Sequence, residues 1–215
     1  MGQKVNAHLI RLNTVHGWDS RWFNEKQYKE TVIEDYFLRK LLMERLRMAG
    51  VSKIEIERSI NSVKVIAFVS RPGIVIGRGG TGLEDLKKYI NVFFSKRKIG
   101  IKGPKLDIRV EPIKEPNLDA YLVARNISDQ LIRRLPFKRV LAQTAERVMG
   151  SGARGVRILL AGRINGAEIG RREKIQIGTV PLSTVREDID YASVPALTKK
   201  GYIGVKVWIN KPEIK

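Results

Sequence analysis

The densest run of residues able to do chemistry is Gly77-Arg78-Gly79-Gly80-Thr81-Gly82. It fits two patterns at once. Gly77, Gly79 and Gly82 have the G-x-G-x-x-G spacing of a dinucleotide-phosphate turn, and Gly77 to Gly80 have the shorter G-x-x-G spacing of loops that grip a nucleic-acid backbone. At Gly77 and Gly80 the missing Cβ lets phosphate approach the main chain, and Arg78 adds charge. A helix beginning near Thr81, its expected cap, would turn free N–H groups toward the anion. A turn that merely reverses the chain would use the same glycines. A dinucleotide site needs a full buried strand before the first glycine and β-α repeats after it, yet only Ile74, Val75 and Ile76 separate Pro72-Gly73 from Gly77. The nucleic-acid reading is therefore preferred, and no nicotinamide, flavin or other cofactor is expected.

Basic density is the second signal. From Lys87 to Arg109 eight Lys or Arg residues face one acid, Asp107, and from Phe137 to Lys174 nine face Glu146, Glu168 and Glu173. Solvated faces are rarely so one-sided. On a helix beginning at Phe137 the 100° step puts Lys138, Arg139 and Ala142 opposite Phe137, Leu141 and Val148. Lys87, Lys88, Arg147, Arg154, Arg163, Arg171 and Arg172 complete the candidate RNA-binding set with Gly77, Arg78, Gly79, Gly80, Lys138 and Arg139. Any one of these cations could equally be an ordinary solvent-facing charge. The acids suggest no catalytic pair. Asp188 and Asp190 lack the further ligands of a calcium loop and are expected to pair with arginines such as Arg186 or Arg163. Without cysteine, and with only His8 and His16, neither a metal site nor a nucleophilic triad is expected. Trp208 reads as core.

These candidates sit in a chain of 215 residues, long enough for one large or two small cores. Lys and Arg number 41 and Asp and Glu 22, so the formal charge is 41 − 22 = +19, while the 43% hydrophobic content is too high for a disordered basic tail. A folded polycation of this kind implies a polyanionic partner. No apolar run approaches a membrane span and no signal-peptide core opens the chain, so a soluble, unexported protein is expected. Asn6 stands where a myristoylation signal has Ser or Thr.

The elements that must position the candidates follow from periodicity. Residues 1–27, with Trp18, Trp22 and Phe23, read as an arm packed onto something else, whose aromatics could equally be core. Ile33/Phe37/Leu41 and Leu38/Leu42/Leu46 predict a helix that Gly50 stops. Ile54, Ile56 and Ile60 and then Val63, Val65, Ala67 and Val69 predict a hairpin turning at 59–62. Arg71-Pro72-Gly73 ends the second strand, and a helix with Leu83, Leu86, Ile90 and Phe93 inward follows the glycines. The basic run Lys96-Arg97-Lys98 precedes a strand over Leu106, Ile108 and Val110. Pro112 to Pro116 marks a domain boundary. Beyond it come two helices separated by Pro136 and three strands, at 156–161, 174–180 and 202–209. The expected class is α+β, with an arm (1–27), a first domain (28–112) and a second (113–215) whose sheet is mostly antiparallel.

The opening Met1-Gly2-Gln3-Lys4-Val5-Asn6, the run from Arg71 to Gly77, Gly166-Ala167-Glu168-Ile169, Pro181-Leu182 with Asp188-Ile189-Asp190-Tyr191, and Ile203 to Ile209 together resemble the bacterial-type ribosomal protein S-three family of the small subunit. The resemblance spans the chain in order. It implies a type II KH domain (α-β-β-α-β with a G-x-x-G loop), a C-terminal α/β sandwich, and binding to small-subunit ribosomal RNA in the head of the subunit. It further implies messenger RNA at the channel by which it enters, contacts with head proteins ten and fourteen, a cytoplasmic or organellar ribosome as the setting, and no enzymatic step. Departures from the family pattern are Ala7 and Leu9 for a proline and a glycine, Gly79 for a frequent lysine, Ala142 for a third cation after Lys138 and Arg139, and no basic extension after Lys215. A free-standing KH-type regulator or assembly factor is the alternative.

Overall fold

The structure, a computed structural model, describes residues 4–59, 62–96 and 105–212. The chain divides into two compact units, Trp18–Lys114 and Met1–Gly17 together with Glu115–Lys215. The stretch read as one arm is thus shared between them. The hairpin tip at Ile60 and Asn61, the opening Met1 to Gln3, and Arg97-Lys98 of the basic run lie outside the described residues.

In the first unit a two-residue strand β1 (Ser20–Arg21) precedes helix α1 (Tyr28–Arg45), strands β2 (Val51–Arg58) and β3 (Ser62–Val69), a short helix α2 (Pro72–Ile76), helix α3 (Thr81–Lys96) and strand β4 (Lys105–Pro112). The sheet runs β1-β2-β3-β4, with β2 and β3 antiparallel and β4 parallel to β3. Alternation explains which side is core. Ile54 and Ile56 of β2 and Val63, Val65, Ala67 and Val69 of β3 are buried with Leu86, Ile90 and Phe94 of α3.

α1 departs from the expected stripes. Leu38 and Leu42 are buried, but Ile33 and Phe37 are each 41% exposed. The helix instead turns Glu34 and Asp35 inward, because Arg58 at the end of β2 meets both: its Nη1 donates to Glu34 Oε2 at 2.9 Å and its Nε to Asp35 Oδ1 at 2.7 Å. Trp22 Nε1 donates to Asp35 Oδ2 at 2.8 Å, tying the segment before α1 onto it. A buried carboxylate is tolerable when such partners satisfy it. Gly50, at φ 68°, reverses the chain as expected.

In the second unit helices α4 (Ala120–Ile132) and α5 (Phe137–Gly150) precede strands β5 (Gly155–Gly162), β6 (Arg171–Gly178), β7 (Ile189–Thr198) and β8 (Gly201–Asn210). The sheet is wholly antiparallel in the order β6-β5-β8-β7. One face packs under the helices through Val156, Ile158, Leu160, Ile203, Val205, Val207 and Ile209. On the other, Trp208 and Ile189 pack with Ala7. β7 is a strand that the sequence reading did not include.

Asp190 accepts a hydrogen bond from the backbone N–H of Ala120 at 3.0 Å and lies 3.4 Å from Lys211, while Asp188 lies 3.7 Å from His16. Neither pairs with Arg186 or Arg163, the partners expected. Burial lowers the pKa of Lys211, but the carboxylates of Asp190, Asp188 and Asp119 outweigh it and hold the ammonium above the usual lysine value. No helix among the described residues is long and apolar enough to cross a membrane.

Candidate nucleic-acid interface

The glycine loop is held between two helices rather than between a strand and a helix. Pro72 starts α2, a position where its missing N–H costs nothing, and Val75 anchors that helix in the core. Ile74 and Ile76 stay exposed next to the loop. Gly77, at φ 69°, leaves α2, a 3-10 turn covers Arg78–Gly80, and α3 continues from Thr81. Thr81 does not cap α3 as expected: its Oγ1 donates to the carbonyl of Arg78 at 3.0 Å, and its own N–H is bonded to that same carbonyl.

The glycines have separate reasons. A Cβ on Gly77 would stand 3.1 Å from Gly82 N, and one on Gly82 would stand 2.4 Å from Val75 O, so these two allow α2 and α3 to close on each other. Gly79 (φ 64°) and Gly80 (φ 82°) hold left-handed backbone with nothing within 4 Å of where a Cβ would stand. Open approach to the main chain therefore belongs to Gly79 and Gly80, whereas Gly77 is constrained from within. Gly82→Ala is expected to cost about 1–3 kcal/mol, the usual range for overpacking, because backbone and not a flexible side chain meets the new methyl. Urea unfolding checks this, and a midpoint equal to that of the parent would mean that the contact yields freely.

Arg78 is exposed and makes no ion pair among the described residues. Lys87 and Lys88 lie seven residues beyond Gly80 and Thr81, on the same side of α3 and about 10 Å along it. Lys88 approaches Asp85 at 3.7 Å with both side chains largely exposed, a contact of little energetic weight.

In the second unit α5 buries Val140, Leu141, Thr144, Ala145 and Val148, which leaves Lys138, Arg139 and Ala142 in solvent. Its N-terminus has no acid in the first turn and no side-chain cap, with Pro136 at the N-cap. Two cations at the positive end of a helix repel its dipole, an arrangement that an incoming anion relieves. Arg133 and Arg134, both exposed in the preceding turn, add to this end, and sequence reasoning did not single them out. Arg134 takes φ 61°, a backbone state that no residue periodicity signals.

The remaining candidates are dispersed. Arg147 is in the last turn of α5, where its charge suits the dipole. Arg154 faces Glu187 at 3.5 Å, and Arg163 Nε donates to the carbonyl of Ala167 at 2.8 Å across its own loop. Arg171 and Arg172, both exposed at the start of β6, alternate to opposite faces of the sheet. Among the described residues no three His, Cys, Asp or Glu side chains are grouped to hold a metal ion.

Residues 38–118 match the KH domain family, and residues 127–209 match the family described as ribosomal protein S3, C-terminal domain. Small ribosomal subunit protein uS3 of Lactobacillus helveticus (strain DPC 4571) is 44% identical over 214 residues, covering 100% of this chain and 92% of the relative. The chain belongs to the uS3 family. The protein of the same name from Caldicellulosiruptor bescii is 46% identical over 215 residues (100% of this chain, 94% of the relative), and that from Clostridium botulinum (strain Alaska E43 / Type E3) is 42% identical with the same coverage. uS3 membership carries a structural ribosomal role and not an enzymatic one, and the KH match falls on the unit that holds the glycine loop.

Proposed function

We propose that this chain is a structural constituent of the small ribosomal subunit which binds small-subunit ribosomal RNA in the head and lines the path of incoming messenger RNA, beside head proteins ten and fourteen. The observation that carries the RNA-binding part is the loop at Gly79 and Gly80: left-handed main chain with nothing within 4 Å of a Cβ, next to an exposed Arg78 that makes no ion pair among the described residues, in a chain of formal charge +19. A phosphodiester can reach such a backbone without displacing a side chain. Sedimentation of the tagged chain from a cell extract tests the placement. Co-migration with small subunits is expected, and a chain that stays near the top of the gradient would be a free-standing regulator instead.

Lys138 and Arg139 supply the messenger-facing part. Two exposed cations on one helix end can hold separated strands by their phosphates, which lowers the free energy of opened messenger without reading its sequence. Lys138→Ala with Arg139→Ala is expected to slow elongation through a downstream hairpin severalfold more than through an unpaired message, and Ala142→Lys to speed passage through the hairpin. Elongation rates on the two messages, measured with subunits carrying each variant, decide it. Equal slowing on both messages would place the defect in assembly, and no change on either would remove these residues from strand separation.

A further inference from the structure

The face of the second sheet that does not pack under α4 and α5 has a composition of its own. Leu159 of β5 stands between Lys174 of β6 and Lys206 of β8, and Ala161 between Arg172 and Gly204. The two rows continue on β7 as Ser193 and Pro195, and Leu197 pairs with Tyr202 one row further. At one end this face is closed, since Trp208 packs with Ala7, Val180 and Leu182, and Arg157 lies over the Trp208 ring at 5.2 Å. The rest is uncovered: Arg172, Lys174, Ser193, Pro195 and Lys206 are exposed, Leu197 is 57% exposed and Tyr202 66%.

Every charge that the strands place on this face is positive. Glu173 and Asp190, the acids of these strands, pair with Leu160 and Ile209 and so point to the helix side. Arg172, Lys174 and Lys206 make no ion pair among the described residues. The outer face of the first sheet is built differently, with Lys64 on Glu57 at 2.9 Å, Arg109 on Asp107 at 3.2 Å and Lys53 on Glu55 at 2.6 Å. Cations on an edge strand often serve only to block strand addition, which would account for Arg172 and Lys174 on β6. It does not account for Lys206, because β8 is an inner strand with β5 on one side and β7 on the other.

We propose that this uncovered face binds single-stranded RNA, its phosphates on Arg172, Lys174 and Lys206 and a base stacked on Tyr202. Two strand spacings set Lys174 and Lys206 about 10 Å apart. Between the row of Lys174 and Lys206 and that of Tyr202, Ala161 and Gly204 form a floor without large side chains, on which a base can lie flat. A paired duplex would hide the base faces that an exposed tyrosine ring takes up, and this selects a single strand. The inference rests on the RNA-binding reading above and adds a surface to it, distinct from the glycine loop and from the start of α5.

The test uses the full chain, a fluorescent twelve-nucleotide oligouridylate, and anisotropy at several salt concentrations. Replacing Arg172, Lys174 and Lys206 together by Gln should lower the slope of log affinity against log salt by about 2, at ~0.7 per phosphate released from a single strand. Tyr202→Ala should weaken binding roughly five- to a hundredfold, the range for one stacked base, and leave the slope unchanged. Circular dichroism checks folding, and Lys206→Gln alone, with a slope change of about 0.7, serves if the triple variant does not fold. Unchanged slope and affinity in these variants, with the parent chain still binding, would overturn the proposal and leave the RNA-binding reading intact. A parent chain that does not bind the oligonucleotide would overturn the proposal as well, and sedimentation with small subunits would then decide the RNA-binding reading separately. Capture of deca-glutamate by the parent but not by the triple variant, with RNA affinity equal in the two, would assign the face to an acidic protein segment and overturn the proposal as well.

Discussion

Replacing Arg11 by Met is expected to destabilise the second unit by about 3–5 kcal/mol, visible as a fall of roughly 10–20 °C in its thermal midpoint. Arg11 is fully buried. Its Nε donates to Glu187 O at 2.8 Å, its Nη1 to Ala7 O at 2.9 Å, and its Nη2 to the carbonyls of Pro181, Leu182 and Thr184 at 3.3, 3.2 and 2.8 Å. Burial lowers the pKa of the guanidinium, and the nearby charges of Asp188 and Glu187 oppose that shift. Methionine fills much the same space as the stem but leaves five carbonyl oxygens without their donor. Each bond to a charged group is worth about 1.5–3 kcal/mol, yet the sum is limited because the 181–187 segment can open and let water in. Arg11→Lys should recover little, since a single ammonium cannot reproduce the planar fork. A melting curve for Arg11→Met within a degree or two of the parent would show that the arm contributes nothing to this unit.

Arg11 also shows where the sequence is silent. An arginine set between Ile10 and Leu12 has no periodicity to place it, and four of its five acceptors come from chain about 170 positions away. Alternation, by contrast, made Ile203, Val205, Val207 and Ile209 legible as one face of a strand, because burial against the helices demands a period of two. β7 was not legible for a physical reason. Its Pro195 reads as a strand breaker, but β7 is an edge strand, where a missing N–H takes nothing from the ladder. α2 was hidden in the same way, since Pro72 ends a strand and begins a helix equally well. In α1 the largest apolar side chains misled, because burial went to Glu34 and Asp35 once Arg58 was there to meet them.

The candidate site divides along similar lines. Helical geometry alone exposes Lys138 and Arg139, so the sequence reaches them. It cannot separate Arg154, held by Glu187 from a distant loop, from an arginine that is free. Nor can it say which glycine serves packing and which serves access, because that depends on how α2 meets α3.

Arg78→Asp combined with Gly79→Asp is expected to abolish the loop's share of RNA binding while the fold survives. The pair changes the local charge by three units, from one cation to two carboxylates, at a place where phosphate is expected. Folding should tolerate it, because Arg78 is exposed, nothing lies within 4 Å of a Cβ on Gly79, and aspartate is among the residues that enter the left-handed region most readily. If phosphate contacts dominate, the parent should lose roughly a thousandfold in affinity between about 50 and 200 mM salt for six contacts. The loop variant should then start weaker and fall less steeply, since fewer counterions are released when it binds. Affinity for a small-subunit ribosomal RNA fragment measured across that range, with circular dichroism alongside, separates the possibilities. Loss of ellipticity would make the loop a structural turn. An unchanged fold with unchanged affinity and slope would remove it from the interface. A parent affinity insensitive to salt would reject phosphate contact as the main source of binding, whatever the loop does.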